Sequence, residues 1–177
     1  MPFSAAESTL VLIDLQERLM PAIEDGAAVL DRCVLLARAA RALGIPVLGT
    51  EQNPAGLGAT AAPLAPLVDR VIAKLSFDAC RESALPQAIQ RTRRRLVVAG
   101  CEAHVCVLQT VLGLRGQGFE ISLAADAVGS RRSIDRTTAL ARLARNSVEI
   151  VTAEMVLFEW LERSDHPKFK ELLALIR

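Results

Sequence analysis

Histidine is scarce in this sequence. Only His104 and His166 are present, so an imidazole-rich metal site has few donors to draw on. The four cysteines, at 33, 80, 101 and 106, do not supply the deficit. Cys101 and Cys106 are five positions apart, which is not a usual zinc-ligand spacing. A basic excess is lacking as well: 21 Lys and Arg stand against 20 Asp and Glu, whereas a nucleic-acid surface generally carries a large positive balance. The densest basic run, "RTRRR" at 91–95, reads as a solvated helix end before a strand. No apolar stretch approaches the ~20 residues of a membrane span, and the longest helical candidate, 30–43, is interrupted by Arg32, Arg38 and Arg41. No G-x-G-x-x-G follows the first strand, which removes the main support for a dinucleotide-binding oxidoreductase. The opening "MPFSAAESTLVLIDLQ" has no basic region before its apolar run and does not read as a signal peptide. A cytoplasmic protein with reduced thiols is the expectation.

What is present is apolar residue, at 51% of 177 positions. That excludes disorder and suffices for a full core in one domain, 1–177. Strand-like and helix-like segments alternate throughout. Strands are expected at 9–14, 45–50, 70–74, 95–100, 119–126 and 148–152, and helices at 27–43, 82–92, 103–116, 133–146, 153–163 and 167–176. Gly44 stops the first helix and Ser133 can cap the fourth. The Gly-, Pro- and Ala-rich stretch 51–68 reads as a long loop with at most one helical turn, and loops of that length are often functional. Six short apolar strands between helices imply an α/β fold: a three-layer α/β/α doubly wound sandwich around a six-stranded parallel sheet. In such sheets ligands bind beyond the carboxyl ends of the strands.

That rule selects candidates. Asp14 ends strand one and Lys74 ends strand three. Strand four runs through Gly100 into "GCEAHVCVLQT", with Cys106 at or near a helix start. Taken singly, each has a plain structural reading: a turn aspartate, a solvated lysine, a core cysteine. Together they suit nucleophilic catalysis. A helix N-terminus and a nearby ammonium favour a thiolate, a carboxylate can move its proton, and N–H groups of the Gly100–Cys106 turn can receive an oxyanion.

The segments "LVLIDLQERL", "AKLSF" and "VVAGCEAHVCVLQT" resemble the isochorismatase-like superfamily of cysteine hydrolases. "TEQNPAGLG", "ADAVGSR" and "EMVLFEWLERSDHPKFKELLALI" are most similar to the small isochorismatase domain-containing proteins within it. The resemblance implies Cys106 as nucleophile, Asp14 as acid and base, Lys74 as electrostatic support, and a thioester intermediate on the way from an amide to an acid. It also implies a cis peptide at Cys101–Glu102 that shapes the oxyanion turn, and homo-oligomers. "TEQNPAGLG" lacks the histidines that nicotinamidases use to hold a metal, so no metal or other cofactor is expected. Cys106 counts against vinyl-ether cleavage of isochorismate. The expected function is a metal-independent hydrolase of a small amide, carbamoyl or related substrate. The rival is a catalytically silent interaction protein on the same fold.

Further positions have two readings each. Gln52 and Asn53 either line the pocket or lie in a solvent-facing loop. Phe77 is a pocket wall or, slightly favoured, core. Glu102 either orients Lys74 or stays in solvent, and His104 is either a site residue or a helix-surface one. Asp126 reads as structural with Arg131 as a partner, His166 as a helix-start residue, and Cys33 and Cys80 as structural. Met155, Val156, Leu157, Phe158 and Trp160 cover more than one helix face, which suggests a second apolar contact between subunits.

Overall fold

A computed structural model describes residues 4–82, 84–90 and 92–176. Strands β1 (Ser8–Ile13), β2 (Val47–Gln52), β3 (Arg70–Lys74), β4 (Arg95–Cys101), β5 (Glu120–Gly129) and β6 (Glu149–Val151) form one sheet in the order β3-β2-β1-β4-β5-β6. All its pairings are parallel. Alternate residues of β1 feed opposite faces, as the two-residue period of a strand requires. Leu10 and Leu12 join a core with Cys33, Leu36 and Trp160, from α1 (Gly26–Ala42) and α6 (Ala153–Leu161). Val11 and Ile13 join a second core with Leu85, Val111 and Leu143, from α3 (Ala84–Ala88), α4 (Leu108–Gly116) and α5 (Ser133–Arg145). The remaining helices are α2 (Pro54–Leu57) and α7 (Phe169–Leu173). No helix among the described residues is long and apolar enough to cross a membrane.

The chain winds from β1 outward to β3, then returns to place β4 on the other side of β1. The winding reverses at β1 and β4, and it is beyond the carboxyl ends of such strands that ligands bind in doubly wound sheets. Gly100 makes their approach possible there. Its φ is +127°, and a Cβ at this position would stand 2.1 Å from the Ile13 carbonyl oxygen. Only glycine has neither the steric bar to that dihedral nor the side chain that would collide. The two strand ends carrying Asp14 and the Cys106 turn are thereby drawn together.

Several boundaries differ from the expectation. Strand two starts at Val47 rather than 45, because the Ile45 N–H closes the end of α1 on the Ala40 carbonyl at 2.8 Å. α3 spans five residues where 82–92 was expected, with positions 83 and 91 outside the described residues. Pro86 limits it, since proline fits the first turn of a helix and not its interior. The expected helix 103–116 begins with a wide π-helical turn, Ala103–Val107. β5 runs on to Gly129, past a register shift against β4 between Val98 and Gly100. Ser133 is the first residue of α5 and makes no side-chain cap; the preceding Arg132 occupies the cap position.

Candidate active site

Asp14 follows directly on β1 in the left-handed region, φ 50°, which aspartate tolerates better than most residues. Its side chain and that of Lys74 are both 0% exposed, and Lys74 Nζ donates to Asp14 Oδ2 at 2.8 Å. The other carboxylate oxygen accepts from Thr50 Oγ1 at 2.6 Å. Lys74 Nζ also donates to Gln52 Oε1 at 2.6 Å and to the Ser76 carbonyl at 3.3 Å. An ammonium has three N–H donors, so all three are committed. Gln52 is fixed in turn, its amide nitrogen donating to the Leu75 carbonyl at 2.7 Å. The Cys106 thiol points at the same Gln52 oxygen, 3.9 Å away. Gln52 therefore joins the cation to the thiol, a more central place than a pocket lining.

Burial pushes the Cys106 thiol up to about 12; Asp14 raises it further and Lys74 opposes. Burial thus outweighs the helix start and the ammonium, the two features expected to favour a thiolate. Lys74 is already neutralised by Asp14, so desolvation of the sulfur prevails. Ionisation does not single Cys106 out, because burial also pushes Cys80 and Cys101 up to about 12. Burial raises Cys33 well above the ordinary thiol value.

The Cys101–Glu102 peptide is cis. The Glu102 carbonyl accepts from the Val105 and Val107 N–H groups at 3.1 and 3.2 Å, so neither is open to a ligand. Glu102 neither orients Lys74 nor lies in solvent: its buried carboxylate accepts from Arg131 N and Nε, both at 3.0 Å. Arg131 thus pairs with Glu102 and not with Asp126, whose carboxylate accepts from the Ala153 N–H at 2.8 Å and faces Arg32 at 3.8 Å. His104 is half-buried, with Nδ1 3.0 Å from Ser130 Oγ. Asn53 precedes α2 with φ 39°, and its N–H donates to the Lys74 carbonyl at 2.9 Å. Phe77 is 52% exposed, which removes the core reading. The His166 ring nitrogen accepts from the Lys168 N–H at 3.0 Å just ahead of α7, in keeping with a helix-start residue. Among the described residues, no cluster of three or more His, Cys, Asp or Glu side chains is arranged to hold a metal ion.

Thr50 and Gln16 escaped the sequence reading. Gln16 is fully buried and bonds the Gln52 N–H at 2.9 Å and carbonyl at 3.1 Å, so it sets the end of β2 against the loop after β1. Thr50 could have been found. It is the last core-facing residue before the end of β2 and pairs in register with Ile13, so the strand-end rule that selected Asp14 also reaches it.

Residues 8–155 match a family model described as Isochorismatase domain. Isochorismatase domain-containing protein 1 of Danio rerio is 39% identical over 180 residues, an alignment covering 98% of this chain and 62% of that protein. The chain thus spans about three-fifths of the length of that relative. Isochorismatase domain-containing protein 2 of Homo sapiens is 33% identical over 172 residues, covering 96% of this chain and 83% of that one. Among solved structures, a MAR1 ribonuclease from Caenorhabditis elegans is similar with a TM-score of 0.93 at 32% identity, covering 99% of this chain and 92% of that one. The YcaC gene product of Escherichia coli, described as an octameric hydrolase of unknown specificity, shares the fold at a TM-score of 0.87 and 20% identity, covering 98% and 95%.

Proposed function

Because the chain belongs to the isochorismatase family, we propose that it is a cysteine hydrolase that cleaves a small amide, carbamoyl or related substrate without a metal or other cofactor. The observation that carries this reading is the buried Asp14–Lys74 pair sharing the Gln52 amide with the Cys106 thiol. Cys106 Sγ attacks the substrate carbonyl carbon as its proton passes to Asp14. Asp14 returns that proton to the leaving nitrogen as the C–N bond breaks, and a thioester remains. Water then attacks the thioester and Asp14 takes its proton; as the C–S bond breaks Asp14 passes that proton to the sulfur, the acid leaves and the Cys106 thiol is restored. Lys74 orients Asp14 through its 2.8 Å hydrogen bond and has no spare N–H for the substrate. The oxyanion role falls to N–H groups that open the helical run at Ala103 and His104, which have no partner within it.

One structural relative is named a ribonuclease. A chain with net charge +1, and a site whose ammonium is fully committed, favour a small neutral substrate over a phosphate backbone. A screen of small amides and carbamoyl compounds tests the assignment. Turnover should appear together with a mass adduct on Cys106, and both should vanish in Cys106→Ala. Turnover that survives Cys106→Ala would assign the chemistry elsewhere, and silence across the screen would favour the interaction protein.

Assembly is part of the same reading. Val156, Leu157 and Trp160 are buried within the chain, whereas Met155 and Phe158 remain 48% and 40% exposed. Two adjacent large apolar side chains on α6 suit a self-complementary contact, and the octameric relative supports the same idea. Light scattering should give at least twice the mass of one chain, and a lone monomer peak at micromolar concentration refutes the contact.

A further inference from the structure

Between Lys74 and α4, residues 75–79 form a loop with almost no freedom of its own. The Glu82 carboxylate accepts from the Leu75 and Ser76 N–H groups at 2.8 and 2.6 Å. The Leu75 and Ser76 carbonyls accept from Gln52 and Lys74 of the site. At its far end, Thr110 Oγ1 donates to the Phe77 carbonyl at 3.3 Å and accepts from the Ala79 N–H at 3.0 Å. Thr110 stands four residues after Cys106, one helical turn on. The loop is thus tied at one end to the partners of the thiol and at the other to the helix that follows it. On this rigid support Leu75 is 74% exposed and Phe77 52% exposed. Large apolar side chains held out to water on a loop whose backbone is bonded to the partners of the thiol call for an apolar occupant.

Charge around the thiol points the same way. Asp14 and Lys74 neutralise each other, the three Lys74 N–H groups are taken, and the Arg131 guanidinium is drawn onto Glu102. An anionic substrate would find the Lys74 ammonium already paired in a buried place that disfavours net charge.

We infer that the site takes an uncharged carbonyl compound bearing an apolar substituent, which lies against Leu75 and Phe77. This rests on the assignment of Cys106 as nucleophile. Such a site selects for apolar character and against carboxylate-bearing amides.

Two pairs of electrophiles test the inference without knowledge of the substrate: acrylamide with N-benzylacrylamide, and iodoacetamide with iodoacetate. Modification of Cys106 is followed by peptide mass spectrometry, and each rate is divided by the rate with a small free thiol. A hydrophobic wall gives discrimination of ~10-fold and upward per group accommodated. N-Benzylacrylamide should therefore exceed acrylamide by about tenfold, and iodoacetamide should exceed iodoacetate by a similar factor. Phe77→Ala should bring the first ratio most of the way to one, while Phe158→Ala, at the remote apolar strip, leaves it in place. Equal rates within either pair in the native protein would overturn the inference. So would an unchanged benzyl preference in Phe77→Ala, including the case in which that variant loses oligomer mass and Phe77 proves to be a subunit contact. Labelling of Cys106 with the wrong selectivity refutes only the substrate class. A Cys106 that none of the four reagents labels refutes the nucleophile assignment, and this inference with it.

Discussion

Asp14→Asn should make Cys106 more reactive toward iodoacetamide near neutral pH while lowering amide turnover by about 10²–10⁴-fold. The two effects have opposite signs because the carboxylate acts on the sulfur and on the leaving group in different ways. In the native protein burial pushes the thiol up to about 12, with Asp14 adding to the shift and Lys74 opposing it. Near neutral pH the thiol is then held almost wholly protonated. Replacing the carboxylate by a neutral amide removes the second of the raising influences and leaves the Lys74 ammonium without its anion. The folded-state thiol value must fall, so the alkylation profile moves to lower pH and the rate on the neutral side rises. Turnover responds otherwise. Without a carboxylate no group holds the thiol proton for the leaving nitrogen, and the tetrahedral adduct reverts rather than losing its amine. Asparagine is a fair replacement in shape, since it accepts φ near the native 50°. Alkylation of Cys106 across a pH series, with turnover measured on the same preparation, separates the two. If alkylation and turnover fall together, proton transfer to Asp14 limits attack on every electrophile, and the ionisation of the thiol does not govern its reactivity.

The elements were legible because each strand is a short apolar run bounded by polar residues, and a parallel sheet covered on both faces demands such runs. The meeting of Asp14, Lys74 and the Cys106 turn was legible for a related reason: the doubly wound topology gathers the residues just past neighbouring strand ends. The electrostatics were not. A helix start and a lysine suggest a lowered thiol value, yet the result depends on how deeply the sulfur is buried and on whether Lys74 is already paired. Neither is a property of local sequence. Glu102 illustrates the same limit. Its partner Arg131 lies 29 positions away and meets it because β4 and β5 end side by side, with Cys101 opposite Gly129. Phe77 misled in the other direction. A phenylalanine three residues past the end of β3 favours the core by composition, and only the clamped course of 75–79 leaves it outside.

Lys74→Met should destabilise the fold by about 3–5 kcal/mol, because it leaves the Asp14 carboxylate buried without its cation. The side chains of the pair are both 0% exposed, so water cannot take over the role of the lost ammonium without opening the site. Thr50 continues to donate one hydrogen bond, but a hydroxyl offers a dipole where the carboxylate had a charge. Gln52 loses a partner as well, and its oxygen is left facing the Cys106 thiol alone. Methionine fills much of the lysine volume, so the cost reflects charge more than a cavity. Urea unfolding gives the difference directly, and the double variant Asp14→Asn with Lys74→Met decides its origin. Removing both charges should return most of the lost stability, since a buried pair is worth little beyond the penalty of breaking it. If the double variant is as unstable as the two single losses added together, the pair does not act as a unit, and Lys74 stabilises the protein through its contacts with Gln52 and Ser76. A Lys74→Met variant within about 1 kcal/mol of the native protein, the range of solvent-exposed pairs, would mean that Asp14 is hydrated in solution. A hydrated carboxylate would leave the Cys106 sulfur in a wetter and more easily ionised site than its burial indicates.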